Sequence, residues 1–182
     1  MNSTKMRGKK AQKHSDLADP PRRRGNKRKG LGTWDCDRPP IFGVLCRETG
    51  QVRYFVREHA DGKTCREVVT ACVPKGARLY TDGLTGYVAV GEQHCAVHGR
   101  VLHSQYEWAR DDDGDGVCEV HSNGCEGLGT GLRNFLRPFR GVSKQYLWSY
   151  VAVYEAVFNS KRLTPSLVQA LCFPEGAQLD YT

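Results

Sequence analysis

The sequence predicts a mixed α/β fold, and three observations carry that prediction. Short runs rich in β-branched and aromatic residues stand early in the chain, at 41–46, 52–56 and 77–81. A helix-period segment separates the second run from the third, and longer helix-period segments fill the second half. With 182 residues, 39% of them apolar and 26% charged, the chain can bury one core of ordinary composition.

Ile41-Phe42-Gly43-Val44-Leu45-Cys46 and Val52-Arg53-Tyr54-Phe55-Val56 flank a turn containing Thr49-Gly50, the pattern of a β-hairpin. Asp61 can cap the helix that follows, in which Cys65, Val68, Val69 and Cys72 share a face, and Pro74 with Gly76 ends it. Residues 77–81 form a short strand that delivers Asp82 at its C-terminal end. Residues 92–104 read as another short strand and loop, and 110–125 as a polar, Gly-rich, irregular segment.

Helical spacing returns at 126–136 through Leu128, Leu132, Phe135 and Leu136. Gly127, Gly129 and Gly131 weaken its intrinsic propensity, so tertiary packing must hold it. Ser143 is placed to cap a stronger helix with Leu147, Tyr150, Val151, Tyr154 and Phe158 at three- and four-residue steps. Thr164-Pro165 opens a last short helix carrying Leu167, Val168 and Leu171. Trp34, Trp108 and Trp148 are expected in the core rather than on a base-stacking surface.

Charge divides the chain. Residues 1–30 hold eleven of the 27 Lys and Arg but two of the 20 Asp and Glu, a net of +9 against +7 for the whole. This arm, which includes Arg22, Arg23, Arg24, Lys27, Arg28 and Lys29, has too little apolar surface to fold alone and suits a polyanion such as nucleic acid. A solvated tail is the plain alternative. The expected organisation is a largely disordered arm over 1–30, one folded domain over 31–172 and a frayed tail over 173–182. No apolar run approaches the roughly 18 to 20 residues of a membrane span, and no apolar stretch follows the basic start as in a signal peptide. The expected location is the cytoplasm.

Eight cysteines without a signal peptide read as reduced thiols. Cys95 with His98, and Cys118 with His121 and Cys125, resemble fragments of a zinc site, but neither is complete. Asp111, Asp113, Asp115 and Gly116 match the opening of an EF-hand loop whose twelfth place is Ser122 where a glutamate is required, so an acidic loop with weak calcium affinity is expected.

The candidate chemistry lies in Asp82 and Glu126. A carboxylate at the C-terminal end of a strand and another at a helix start can share a divalent ion. Arg133 stands seven residues after Glu126, and seven steps of about 100° return a side chain to within roughly 20° of its starting direction. Glu126 and Arg133 therefore share a face, a carboxylate for metal and a cation for phosphate. Taken alone, such a pair is common on helix surfaces.

Longer stretches add context: Asp37-Arg38-Pro39-Pro40-Ile41-Phe42-Gly43-Val44, Thr49-Gly50-Gln51-Val52-Arg53-Tyr54, Tyr80-Thr81-Asp82 with Gly86-Tyr87, His103-Ser104 with Glu107-Trp108-Ala109, His121-Ser122-Asn123-Gly124-Cys125-Glu126-Gly127, and Leu136-Arg137-Pro138-Phe139-Arg140-Gly141-Val142-Ser143-Lys144. In this order they resemble the bacterial insertion-sequence transposases of the ISXO-two-like (IS-fifteen-ninety-five) family. The resemblance runs from about His14 to Cys172. It implies an RNase H-like mixed sheet flanked by helices, action on double-stranded DNA at element ends and target, Mg²⁺ or Mn²⁺ as cofactor, and homo-oligomers that pair two ends.

By the same resemblance Asp82 matches the second family aspartate, Glu126 the third acidic ligand and Arg133 the basic residue after it, with Asn123 a competitor for the third-ligand role. Arg137, Arg140 and Lys144 join the arm as expected DNA contacts. The family's first aspartate, at the end of its first strand, aligns with Met1-Asn2, and neither is acidic. The first strand and its ligand are thus expected to be missing here. Two function readings follow: a DDE transposase that cleaves and rejoins DNA, or a catalytically inactive remnant that only binds nucleic acid.

Overall fold

The computed structural model describes residues 32–160. They comprise β1 (Ile41–Leu45), β2 (Val52–Val56), α1 (Gly62–Cys72), β3 (Arg78–Thr81), α2 (Val88–His94), β4 (Val97–Arg100), β5 (Ala109–Arg110), β6 (Val120–His121), α3 (Asn123–Leu136) and α4 (Lys144–Asn159). Single 3-10 turns lie at Thr85–Tyr87, His103–Gln105 and Arg137–Phe139. The fold is mixed α/β. The basic arm, the expected last helix and the tail lie outside the described residues.

Three two-stranded sheets are present among the described residues: β1 with β2 antiparallel, β3 with β4 parallel, and β5 with β6 antiparallel. The hairpin alternates as a half-buried sheet must. Phe42, Val44 and Phe55 turn to α1, where they pack with buried Cys65 and Val68. Ile41, Tyr54 and Val56 turn the other way, against Leu132, Leu136, Val142, Leu147 and Val151 of α3, α4 and the segment between them.

Asp61 caps α1 as the sequence predicts, its carboxylate accepting from the Thr64 N–H at 2.8 Å. Ser143 stands at the cap position of α4 but makes no side-chain capping bond. Helix α3 begins at Asn123, ahead of the predicted start. A Cβ on its Gly131 would lie 2.2 Å from the Tyr154 hydroxyl, so this weak helix former permits the close approach of α4 that stabilises α3.

Helix α2 was not predicted. It is short, it follows Gly86, and it contains Gly91; both glycines allow tight packing, since a Cβ would stand 2.7 Å from the Cys65 Sγ at Gly86 and 2.0 Å from the His98 Nδ1 at Gly91. Trp108 and Trp148 also depart from expectation, being 58% and 64% exposed. Helix α4 is apolar on nearly every side, so its spacing does not say which face turns inward: Leu147 and Val151 do, Trp148 does not.

The two edges of the hairpin differ. The hydrogen-bonded pairs at Pro40 with Arg57 and Cys46 with Gln51 set the parity, so Val52 and Tyr54 point their backbone groups outward from β2. Helix α4 meets them: the Asn159 amide accepts from the Val52 N–H at 2.8 Å and donates to its carbonyl at 2.9 Å, and Glu155 accepts from the Tyr54 N–H at 2.7 Å. By the same parity Ile41, Gly43 and Leu45 point outward from β1, which has no second partner strand among the described residues.

Candidate metal and nucleic-acid site

Parallel pairing of β3 and β4 brings their C-terminal ends to one edge, and the Val101 N–H extends the pairing by donating to the Thr81 carbonyl at 3.1 Å. Asp82 leaves β3 there, exposed, with one carboxylate oxygen accepting from the Leu84 N–H at 3.2 Å. Beside it, Leu102 and His103 leave β4; a Cβ on Gly83 would lie 3.1 Å from Leu102.

Glu126 approaches the same edge from the first turn of α3, where the helix dipole favours a carboxylate. His103 Nε2 lies 2.9 Å from its Oε1, and the buried Ser122 hydroxyl donates to the same oxygen at 3.3 Å. His103 Nδ1 faces the Glu107 carbonyl at 3.1 Å, and its ring lies 4.9 Å from that of Trp108. Glu107 is fixed in turn: the Leu102 N–H, then Arg110, hold its carboxyl below the usual carboxylate range. Neither His103 nor Ser122 had been assigned a role from the sequence; their only signal was their place in the His103-Ser104 and His121-Ser122 stretches.

The Cys125 thiol is pushed up chiefly by desolvation of the sulfur, although the residue as a whole is exposed, with Asp82 and Glu126 as smaller contributors. Asp82 also contributes to Cys65, raised to about 11 chiefly by burial.

Arg133 donates to the Thr130 hydroxyl at 2.8 Å, and that hydroxyl donates to the Glu126 carbonyl at 3.0 Å. The three residues form one stripe along α3, as the seven-residue spacing predicts. Asn123 is the exposed first residue of α3. Arg137 and Arg140 are exposed where α3 gives way to the next turn, whereas Lys144 turns inward to Asp37 Oδ1 at 3.1 Å and the Trp34 carbonyl at 3.1 Å. Arg22, Arg23, Arg24, Lys27, Arg28 and Lys29 lie outside the described residues.

A cation the sequence reading did not single out, Arg47, donates to the Glu119 and His121 carbonyls at 2.6 and 2.7 Å and lies 4.4 Å above the Tyr80 ring. It ties the end of β1 to β3 and β6.

The acidic loop folds on itself. Asp111, Asp113 and Asp115 bring carboxylate oxygens within 4.8 Å of one another, while Asp111 accepts from the Gly114 and Gly116 N–H groups at 2.6 and 2.9 Å. The two fragments that resemble parts of a zinc site do not gather among the described residues: His98 bonds Thr81, His121 faces Arg47, and Cys125 faces Gly43. No described helix is long and apolar enough to cross a membrane.

No solved structure matches the chain. A protein of Halobacterium salinarum described as an uncharacterized protein in transposable element ISH50 is 29% identical over 136 residues. The match takes in 75% of this chain and 44% of that protein, so the chain spans less than half of this relative's length. Residues 6–159 match the ISXO2-like transposase domain, a stretch that contains every element from β1 to α4 and both carboxylates at the end of β3 and the start of α3. The chain therefore belongs to the ISXO2-like transposase domain family.

Proposed function

We propose that this protein is the transposase of an insertion sequence, which cleaves phosphodiester bonds at the element's ends and joins the liberated 3′-hydroxyls to target DNA. The observation that carries the reading is the pairing of a strand-end carboxylate with a helix-start one: Asp82 leaves β3 at Gly83, which packs on Leu102, and the next residue, His103, lies 2.9 Å from Glu126 Oε1 in the first turn of α3. An antiparallel hairpin with helices on both faces, beside a parallel pair, suits an RNase H-like arrangement of the domain over 31–172.

The donor set fits Mg²⁺ or Mn²⁺, because both groups offer hard carboxylate oxygens and both residues are exposed. Asp82 and Glu126 would hold the ion, which when bound supplies an activated water and neutralises charge on the phosphate. The contacts of Glu126 with His103 and Ser122 favour it over Asn123 as the helix-borne ligand. Arg133, on the same stripe, would hold a phosphate oxygen and stabilise the charge that builds in the transition state. Arg137, Arg140 and the basic arm of 1–30 would carry the duplex, and two copies would bring two ends together.

The alternative reading is an inactive remnant that binds DNA without cutting it. Nicking of the element's ends in Mg²⁺ or Mn²⁺ separates the two readings. Nicking that is lost in Asp82→Ala and in Glu126→Ala, with DNA affinity kept, supports the enzyme. Binding without nicking in the unaltered chain supports the remnant.

A further inference from the structure

His103 joins the segment leaving β4, which runs beside the end of β3 and Asp82, to the helix carrying Glu126. It leaves β4 directly after Leu102, which packs on Gly83, and its Nε2 lies 2.9 Å from Glu126 Oε1 and 3.2 Å from Ser122 Oγ. Its other nitrogen is held at 3.1 Å from the Glu107 carbonyl, and its ring lies against Trp108. Glu107 is anchored by its own bonds to the Leu102 N–H at 2.9 Å and to Arg110. The imidazole is therefore fixed at three points before it meets the carboxylate.

We propose that His103 is a positioning residue, which holds the Glu126 carboxylate in register with Asp82 for a divalent cation. The inference rests on the reading of Asp82 and Glu126 as metal ligands. Glu126 is an exposed side chain with three torsions on a helix surface, and without a fixed donor it samples many rotamers. A bond from an anchored ring to Oε1 selects among them. Partners of this kind typically change metal affinity or activity by about 10- to 100-fold when removed.

The test uses the full chain and Mn²⁺ alone, with free Mn²⁺ followed by electron paramagnetic resonance. His103→Phe keeps an aromatic ring for Trp108 and loses the donor; His103→Gln keeps a donor amide. We expect Mn²⁺ affinity to fall about 10- to 100-fold in His103→Phe and to recover in part in His103→Gln. Adding His103→Phe to Glu126→Ala should change nothing further. With DNA present, kcat for nicking should drop while KM for DNA stays put. If the phenylalanine variant does not unfold cooperatively, His103→Asn, whose amide is too short to reach Glu126, gives the same comparison. Unchanged Mn²⁺ affinity in His103→Phe or His103→Asn, with affinity lost in Glu126→Ala, would overturn the role of His103 and leave the metal site standing. Unchanged affinity in Glu126→Ala would instead remove Glu126 from the metal site, and the proposal with it.

Discussion

The imidazole of His98 occupies the space where residue 91 would carry a side chain. A Cβ at Gly91 would stand 2.0 Å from Nδ1, and the ring is pinned from its other side by the Thr81 hydroxyl at 2.9 Å. Gly91→Ala should therefore cost about 1–3 kcal/mol through overpacking. Urea unfolding measures it, and an unchanged midpoint would show that α2 and β4 can separate freely.

The same ring should make stability depend on pH. Burial first, and then Arg100, lower the pKa of His98 below the ordinary histidine value. The unfolded chain therefore takes up the proton more readily than the folded one. The contribution is full above the unfolded value of about 6.5 and is lost as pH falls from there through the folded value. His121, lowered by burial and Arg47, acts in the same direction. Melting temperatures of the unaltered chain and of His98→Asn, compared from pH 8 to pH 5, isolate the His98 share: the difference between the two should narrow or reverse at the acid end.

Asn159 acts as a piece of strand. Val52 is buried and both of its backbone groups are served by this one amide. Asn159→Ala leaves a buried donor and acceptor unmade, at a cost of about 1–3 kcal/mol. Exchange of the Val52 amide hydrogen should accelerate with it. Protection equal to that of the unaltered chain would mean that water or a neighbour replaces the amide.

Cations that hold the fold and cations offered to DNA should separate by experiment. The Lys144 and Asp37 side chains are 11% and 5% exposed, so Lys144→Ala removes a cation from beside a buried carboxylate and should cost about 1.5–3 kcal/mol. It should leave the salt dependence of DNA binding nearly unchanged. Arg137→Ala, Arg140→Ala and deletion of residues 1–30 should do the reverse, weakening binding with little regard to sequence and flattening its dependence on salt. A steep salt slope retained after deletion of the arm would remove the arm from the interface.

Where local chemistry decides, the sequence was readable. The Thr49-Gly50 turn, the Asp61 cap, the delivery of Asp82 at a strand end and the shared face of Glu126 and Arg133 all follow from spacing within a few residues. What depended on distant partners was not. The division of the strands into three pairs, the inward turn of Lys144 to Asp37 and the bond from His103 to Glu126 join residues whose separation along the chain carries no periodic signal. Helix α2 was missed because it is only seven residues long and Gly91 lowers its local propensity, and that glycine is what its packing on His98 requires.

The clasp of α4 on β2 also gives the hairpin a direction. One margin of the ribbon is sealed by side chains that imitate a neighbouring strand, and the other, through Ile41, Gly43 and Leu45, is met from α3, among the described residues, by a single thiol, Cys125 Sγ at 3.9 Å from the Gly43 carbonyl. The peptide groups of β2 are held by charged and amide groups and those of β1 by one weak donor, so a helix that never enters the sheet determines which margin is the easier to open.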